Sequence, residues 1–400
     1  MRTVVKFGGS SVADLTKMRM VAEKILQRKR QGESLVVVVS AMGKTTNGLL
    51  SLAKEAVKNP SKREMDMILA TGEQVSIALL SMMLQEAGEK AVALTGYQAG
   101  ILTEGLHTKN KIKDIDVRTI ERYLAEEAIV VVAGFQGSNK EGEITTLGRG
   151  GSDTTAVALA AKLSCPCEIY TDVEGIYGID PRLYEKARLL PFVTYEEMKE
   201  MAFLGAKVME PRSVDIAKNY GVPIYVGATE GKEPGTLIGG GNQHVEERSI
   251  TGLSIMDNVM MVTINHLYDV TENIARIFNA LAKEEINVDM ISQSPMPDHS
   301  VSLSFTASQD DKEQVLALLE RLLEEVEEAE LQVETDIIKV SVVGSGMRTQ
   351  SGVAAKIFSL FAEGGVGFRQ VSTSEISISY TMEKKHQEKA VRLIAETFEL

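Results

Sequence analysis

Leu35-Val36-Val37-Val38-Val39-Ser40 sets five apolar residues in succession, four of them β-branched, with no polar residue between them. A strand with one wetted face alternates apolar and polar side chains, whereas a strand covered on both faces reads as an unbroken apolar run. The stretch therefore predicts a strand at the centre of a largely parallel sheet with helices on both sides. Working outward, residues 3–7, 91–95, 129–134, 168–171 and 222–226 form further short runs of strand type, separated by longer helical patterns. That alternation is the pattern of an α/β domain, and it persists to about residue 245. A Gly-rich polar loop at 231–241, with Pro234 inside it, then marks a boundary.

Beyond the boundary the chain repeats itself. Val262-Thr263-Ile264 followed by Ala275-Arg276-Ile277-Phe278 is echoed by Val340-Ser341-Val342 followed by Ala355-Lys356-Ile357-Phe358. Each copy reads strand, helix, strand, strand, helix, with clean alternation in Val301-Ser302-Leu303-Ser304-Phe305 and Ile376-Ser377-Ile378-Ser379-Tyr380, a ferredoxin-like α+β order. A chain of 400 residues exceeds what one core serves, and three domains are expected, at 1–245, 252–332 and 336–400. The acidic stretch 320–330 reads as a solvated helix face.

A formal net charge of -13 without any basic run disfavours nucleic acid and anionic membranes as partners. Cys165 and Cys167 are the only cysteines; they are spaced too closely for a zinc ribbon and read as thiols of a reducing compartment. The N-terminus lacks the apolar core of a signal peptide, and no apolar run approaches the length needed to span a bilayer, so a cytoplasmic enzyme is expected.

Chemistry concentrates where strands end. Lys6-Phe7-Gly8-Gly9-Ser10-Ser11 follows the first strand, and its glycines would let backbone N–H groups approach an anion beside the Lys6 charge. The spacing is not that of a P-loop, and a bare strand-to-helix turn explains the stretch equally well. Ser40 and Thr45-Thr46-Asn47-Gly48 place small polar groups at the end of the next strand, where open parallel sheets collect ligands. In Gly148-Arg149-Gly150-Gly151-Ser152-Asp153, Ser152 or Asp153 can cap a helix at 156–163 while Arg149 forks onto a carboxylate; a capped helix with a surface arginine is the plain alternative. Glu73 interrupts an apolar helical pattern and needs a cation, which a substrate ammonium or a structural partner could supply. Thr171-Asp172-Val173-Glu174-Gly175-Ile176-Tyr177 leads into Asp180-Pro181-Arg182, a loop able to hold nucleoside and phosphates or to be a polar turn. Gly344-Ser345-Gly346 imitates a dinucleotide fingerprint, yet Thr349 stands at its third glycine.

Lys6-Phe7-Gly8-Gly9-Ser10-Ser11, Thr145-Thr146-Leu147-Gly148-Arg149-Gly150-Gly151-Ser152-Asp153, Thr171-Asp172-Val173-Glu174-Gly175 and Gly205-Ala206-Lys207-Val208, in this order, resemble the aspartate kinases of the amino-acid kinase superfamily. The C-terminal repeats resemble paired ACT domains, and Ser372-Thr373-Ser374-Glu375-Ile376 is similar to a run of the second one. The resemblance covers essentially the whole chain. It implies an amino-acid kinase fold followed by two ferredoxin-like ACT repeats, and transfer of the γ-phosphoryl of ATP, carried with Mg2+, to the side-chain carboxylate of L-aspartate. That reaction opens the route to lysine, threonine, methionine and diaminopimelate.

Residue by residue, the resemblance implies Lys6 and Asp153 as catalytic groups. ATP contacts would come from Lys6, Gly8, Gly9, Ser10, Ser40, Thr171, Asp172, Tyr177, Asp180, Arg182 and Lys207. Aspartate would meet Thr46, Glu73, Arg149, Gly150 and Ser152, with Arg149 on the α-carboxylate and Glu73 near the ammonium. No metal ligand set from protein alone is implied. A lysine or threonine effector would bind between ACT domains paired across a homodimer or larger assembly, near Asp269, Asn287, Asp289, Gln293, Ser372, Thr373, Ser374 and Glu375. The chain departs from the family there: Val270-Thr271-Glu272 replaces a residue followed by Pro-Gly, Ser351 a usual proline and Gly367 a common asparagine, so altered effector choice or weakened inhibition is expected. A non-catalytic amino-acid sensor and a kinase of another acidic substrate such as glutamate are the competing readings.

Overall fold

The structure, a computed structural model, describes residues 1–231, 233–241, 248–268, 270–324, 326 and 328–400. It divides into two units, Met1–Tyr177 with Leu189–Val245, and Gly178–Arg188 with Glu246–Leu400.

The first unit begins β1 (Arg2–Phe7), α1 (Leu15–Arg30), β2 (Ser34–Val39), α2 (Thr45–Ala56), α3 (Lys62–Leu69), α4 (Thr71–Glu86) and β3 (Ala91–Leu94). A small excursion follows through β4 (Ile101–Glu104) and β5 (Lys111–Ile115), then α5 (Arg118–Ala125), β6 (Ile129–Ala133), β7 (Gln136–Ser138) and β8 (Ile144–Thr146). It closes with α6 (Gly151–Lys162), β9 (Cys167–Thr171), β10 (Phe192–Thr194), α7 (Tyr195–Phe203), α8 (Pro211–Tyr220), β11 (Ile224–Ala228) and β12 (Thr236–Gly239). The main sheet runs β10-β12-β11-β9-β1-β2-β6-β3, parallel from β11 to β3, with β12 antiparallel to β11. All six expected strands form. The expected loop at 231–241 instead contains β12, because Thr236 and Ile238 are buried against β11.

β2 lies inside the sheet, beside its middle pair β9–β1, and residues 35–39 are at most 1% exposed. Val5, Phe7, Val37, Val39 and Val131 face α1 and α4 through Met18, Ile25, Ile77 and Leu84. The Asp14 carboxylate caps α1 by accepting from the Lys17 N–H, and Arg28, Lys29 and Arg30 sit favourably at its last turn. α3 and α4 form a helical stretch, Lys62–Glu86, that is long and apolar enough to cross a bilayer by length and composition, which corrects the expectation that no run was. Half of its apolar window is buried inside the protein, and it carries the buried carboxylates Asp66 and Glu73.

The second unit comprises β13 (Gly252–Leu267), α9 (Val270–Lys283), β14 (Val288–Pro295), β15 (Val301–Ala307), α10 (Lys312–Leu323), β16 (Glu330–Val343), α11 (Val353–Gly364), β17 (Gln370–Thr373), β18 (Ser377–Glu383) and α12 (Gln387–Phe398). These are the two expected repeats, joined into one sheet, β14-β15-β13-β16-β18-β17. The long strands β13 and β16 serve both copies, pairing antiparallel from Gly252–Val343 to Asn265–Glu330 with bulges near Met256 and Val259. One core gathers Val262, Phe305 and Leu319, the other Val340, Ile357 and Tyr380. Of the acidic stretch, Glu320, Glu324, Glu328 and Glu330 are exposed, but the helix ends at Leu323, and Glu325 and Glu327 lie outside the described residues.

Lys339 is 2% exposed, and its Nζ stands 2.5 Å from Asp289 Oδ2, while Gln370 Nε2 donates to Met290 O at 2.6 Å and Ser292 Oγ at 2.7 Å. A buried ammonium is tolerated only with such a partner, so these contacts pin β14 to the second repeat. Segment Gly178–Arg188 also folds here: Ile179 joins the core of the second repeat, the Leu253 N–H donates to Gly178 O, and Arg188 pairs with Glu399.

Candidate active site

The strand order reverses at β1, which has β2 on one side and β9 on the other, and ligands of open parallel sheets bind beyond the strand ends at such a point. Those ends carry the residues singled out above. Lys6 Nζ lies 2.7 Å from Asp153 Oδ1, both residues being 8% exposed. The contact is an ion pair rather than an aligned hydrogen bond. Asp153 and Ser152 do not cap a helix beginning at 156. α6 begins at Gly151, its N-cap is Gly150 at φ +65°, and both side chains lie in its first turn. Asp153 is therefore held at the positive end of the helix and beside a cation at once.

The Gly8-Gly9 turn differs from the expected anion cradle in one respect: the Gly8 N–H is taken by Tyr170 O at 2.9 Å. Among the described residues the Gly9 and Ser10 N–H groups take no partner, so they are the ones available to a phosphate. A side chain at Gly9 would place its Cβ 2.9 Å from Ala41 O, so the end of β2 presses directly on this turn. The helix it was expected to open starts later, at Leu15. Ser40 sits half-buried at the end of β2, its N–H on Phe7 O, and Thr46 lies in the first turn of α2, a helix that buries none of its residues.

Glu73 is 3% exposed in the first turn of α4. Its Oε1 accepts the Ala41 N–H at 3.1 Å, while Oε2 has no hydrogen-bond partner. Burial pushes the carboxyl up to about 7, against the opposing pull of backbone N–H groups. Through Ala41 it stands next to the Gly9 turn. A buried carboxylate with one oxygen unanswered is a site awaiting a cation.

Arg149 is exposed on the loop between β8 and α6. Two residues that the sequence did not single out frame this loop. A Cβ on Gly150 would lie 2.5 Å from that of Glu210, whose carboxyl is raised by burial and by Asp153, with Arg212 and Arg149 opposing. Arg212 donates to Leu147 O at 2.7 Å and Asn110 O at 3.1 Å.

A cavity of ≈ 240 Å³ opens at Ser10 and Ser11, just past the Gly8-Gly9 turn. Of the residues expected to meet nucleotide, Ser10, Thr171 and Asp172 line it. Glu174, of the same predicted loop but not expected as a contact, also lines it, as do Lys17 and Thr229, which were missed because in sequence each is indistinguishable from a solvated helix or loop residue. Lys6, Gly8, Gly9, Ser40, Tyr177 and Lys207 are not among the lining residues; Lys207 is exposed between α7 and α8. Asp180 and Arg182 form an ion pair within the second unit. No group of three or more His, Cys, Asp or Glu residues among those described could hold a metal ion.

The residues expected to touch an effector are scattered in role. Asp269 lies outside the described residues. Asn287 and Gln293 are exposed, and Asp289 is paired with Lys339. Ser372 and Thr373 are exposed ladder residues of β17, Ser374 accepts from the Ile376 and Ser377 N–H groups in the β17–β18 turn, and Glu375 pairs with Arg348. The Gly344 imitation is filled by protein, since a Cβ there would lie 2.3 Å from Ser249 O.

Residues 1–228 match the amino acid kinase family, and residues 267–323 and 340–398 match an ACT domain. The chain is 47% identical to an aspartokinase of Geobacillus stearothermophilus over 99% of its own length and 97% of the relative's, and 43% identical to an aspartate kinase of Pseudomonas putida at the same coverage. Among solved structures it is similar to E. coli aspartokinase III in complex with aspartate and ADP, with TM-score 0.81 and 25% identity over 99% of both chains. A complex of the same E. coli protein with lysine and aspartate gives TM-score 0.76 at the same identity and coverage.

Proposed function

The chain belongs to the amino acid kinase family and within it to the aspartokinases, and from that premise we propose how its own residues move a phosphoryl group. Aspartate is bound with its ammonium on Glu73 Oε2 and its α-carboxylate on Arg149, with Thr46, Gly150 and Ser152 completing the contacts. MgATP is bound along the Gly8-Gly9-Ser10 turn, with Ser40, Thr171, Asp172, Tyr177, Asp180, Arg182 and Lys207 as its further contacts. The observation that carries this reading is the buried Glu73 oxygen without a partner, adjoining the Gly9 turn.

The substrate side-chain carboxylate, with a solution pKa of ~4, is ionised at neutral pH and needs no general base. An oxygen of that carboxylate forms a bond to the γ-phosphorus as the bond to the leaving ADP oxygen breaks, and the product is 4-phospho-L-aspartate. Two anions must meet, so the barrier is electrostatic. Lys6 neutralises the moving phosphoryl, Asp153 keeps the Lys6 ammonium in place, and the Gly9 and Ser10 N–H groups receive phosphate oxygens. Magnesium would supply further charge neutralisation on the nucleotide. The free, buried thiols of Cys165 and Cys167 suit a cytoplasmic enzyme, and the product suits a supply line to lysine, threonine, methionine and diaminopimelate.

Regulation through the ACT repeats, in a homodimer or larger assembly with a lysine or threonine effector, is part of the proposal. Because Asp289 already neutralises Lys339, an effector ammonium would have to compete with a buried internal one, which supports weakened or altered inhibition. Strong inhibition by lysine plus threonine would count against it. The main test is ATP- and aspartate-dependent hydroxamate formation, run beside glutamate: turnover of aspartate alone is expected, and no product from either acid would favour a sensor.

The raised Glu73 carboxyl makes aspartate binding pH-dependent. Below about 7 the group is protonated in the free enzyme and must ionise to receive the ammonium. The aspartate KM is expected to fall as pH rises towards 7, with a limiting slope of about tenfold per unit, and to level off above it. Glu73→Gln should raise the KM and flatten that profile. The same shift means that Glu73 favours the free fold at low pH and that its contribution fades as pH rises through about 7.

A further inference from the structure

The buried carboxylate Asp66 has no part in the chemistry above, yet it is 0% exposed and completely engaged. It accepts the Thr108 N–H at 3.0 and 3.1 Å, meets His107 Nδ1 at 2.7 Å, and accepts the Thr146 hydroxyl. Thr146 is the last residue of β8, three before Arg149. The 106–110 loop that Asp66 gathers also supports the arm itself: the Asn110 N–H donates to Thr146 O, and a Cβ on Gly148 would lie 3.1 Å from Thr108 O. Asp66 thus ties the root of the arginine arm to α3.

α3 and α4 are separated only by Ala70, itself helical at φ −62° and ψ −17°. Asp66 and Glu73 are therefore two turns apart on one face of a nearly continuous rod, roughly 10 Å along its axis at ~1.5 Å per residue. One end of the rod presents the ammonium-seeking carboxylate, and the other fixes the arm that bears the guanidinium.

We infer that Asp66 is a positioning residue for aspartate: through Thr146 and Thr108 it sets where Arg149 stands relative to Glu73. The inference rests on the reading that Arg149 takes the α-carboxylate. Asp66→Asn keeps the shape but turns an all-acceptor group into a half-donor, and Thr146→Val removes the hydroxyl without changing volume. Both variants should raise the aspartate KM by about tenfold or more while kcat and the ATP KM stay within about twofold, and Thr146→Ser should behave as the parent. Nucleotide-induced thermal stabilisation, read on the same samples, reports that the variants are folded. Folded variants with an unchanged aspartate KM, or with kcat and both KM values worsening together, would overturn the role. Arg149→Ala is measured alongside. If it raises the aspartate KM and Asp66→Asn does not, the positioning role alone fails; if it leaves the KM unchanged, the reading of Arg149 fails and the inference falls with it.

Discussion

Lys6→Met is expected to lower kcat by about 10²–10³-fold, the usual consequence of removing one preorganised charge from a site of developing negative charge. The reasoning is local. Lys6, next to last in β1, is almost fully buried, with Asp153 as its contact. Methionine preserves the stem but leaves Asp153 inside without its cation, which costs stability as well as rate. The double variant Lys6→Met/Asp153→Asn separates the two effects: it should recover thermal stability relative to Lys6→Met and recover no turnover. Single-turnover kinetics with saturating aspartate and MgATP read the chemical step directly. Retention of near-parental turnover in Lys6→Met would remove Lys6 from the mechanism.

Arg149→Ala is expected to act differently. A guanidinium–carboxylate contact is a charge-assisted hydrogen bond of about 1.5–3 kcal/mol, so its loss should raise the aspartate KM by about 10- to 100-fold. The arm is exposed and its charge acts on Glu210 only as a lesser addition to that of Arg212, so folding should be little affected. Saturating aspartate should then restore most of kcat, because Lys6 and the Gly9 and Ser10 N–H groups remain. Arg149→Lys should recover only part of the affinity, a point charge being a poor substitute for a planar fork. Equal kinetic defects in Lys6→Met and Arg149→Ala would contradict the separate roles proposed for them.

The main sheet was legible because Val36 to Val39 and the runs like it carry their burial in their own composition. The four short strands β4, β5, β7 and β8 were not: Lys111 to Ile115 is mostly polar, and Gln136-Gly137-Ser138 pairs only through its backbone. β12 was hidden by the glycines and proline around it. At the site, Glu73 could be read because a carboxylate inside an apolar helical pattern needs an explanation. Glu210 and Arg212 could not, since their meaning comes from a contact with Gly150 and Leu147 that no local pattern announces. The glycines of the first turn announced close approach but not its object, which for the Gly8 N–H is the Tyr170 carbonyl. Asp66 carries no signal of its own in the sequence; its meaning comes from Thr108 and Thr146, which folding brings to it.

The Gly178–Arg188 excursion has a consequence for anyone who would dissect this polypeptide. Ile179, seated among Val340, Ile357 and Tyr380, is a greasy plug whose socket is encoded far downstream. A shortened version stopping near the Gly-rich connector would retain every strand of the kinase sheet and still be left with that plug in water, along with the Asp180-Pro181-Arg182 turn unmoored. A cut at the connector would therefore split the second unit itself, leaving one of its segments on the wrong fragment.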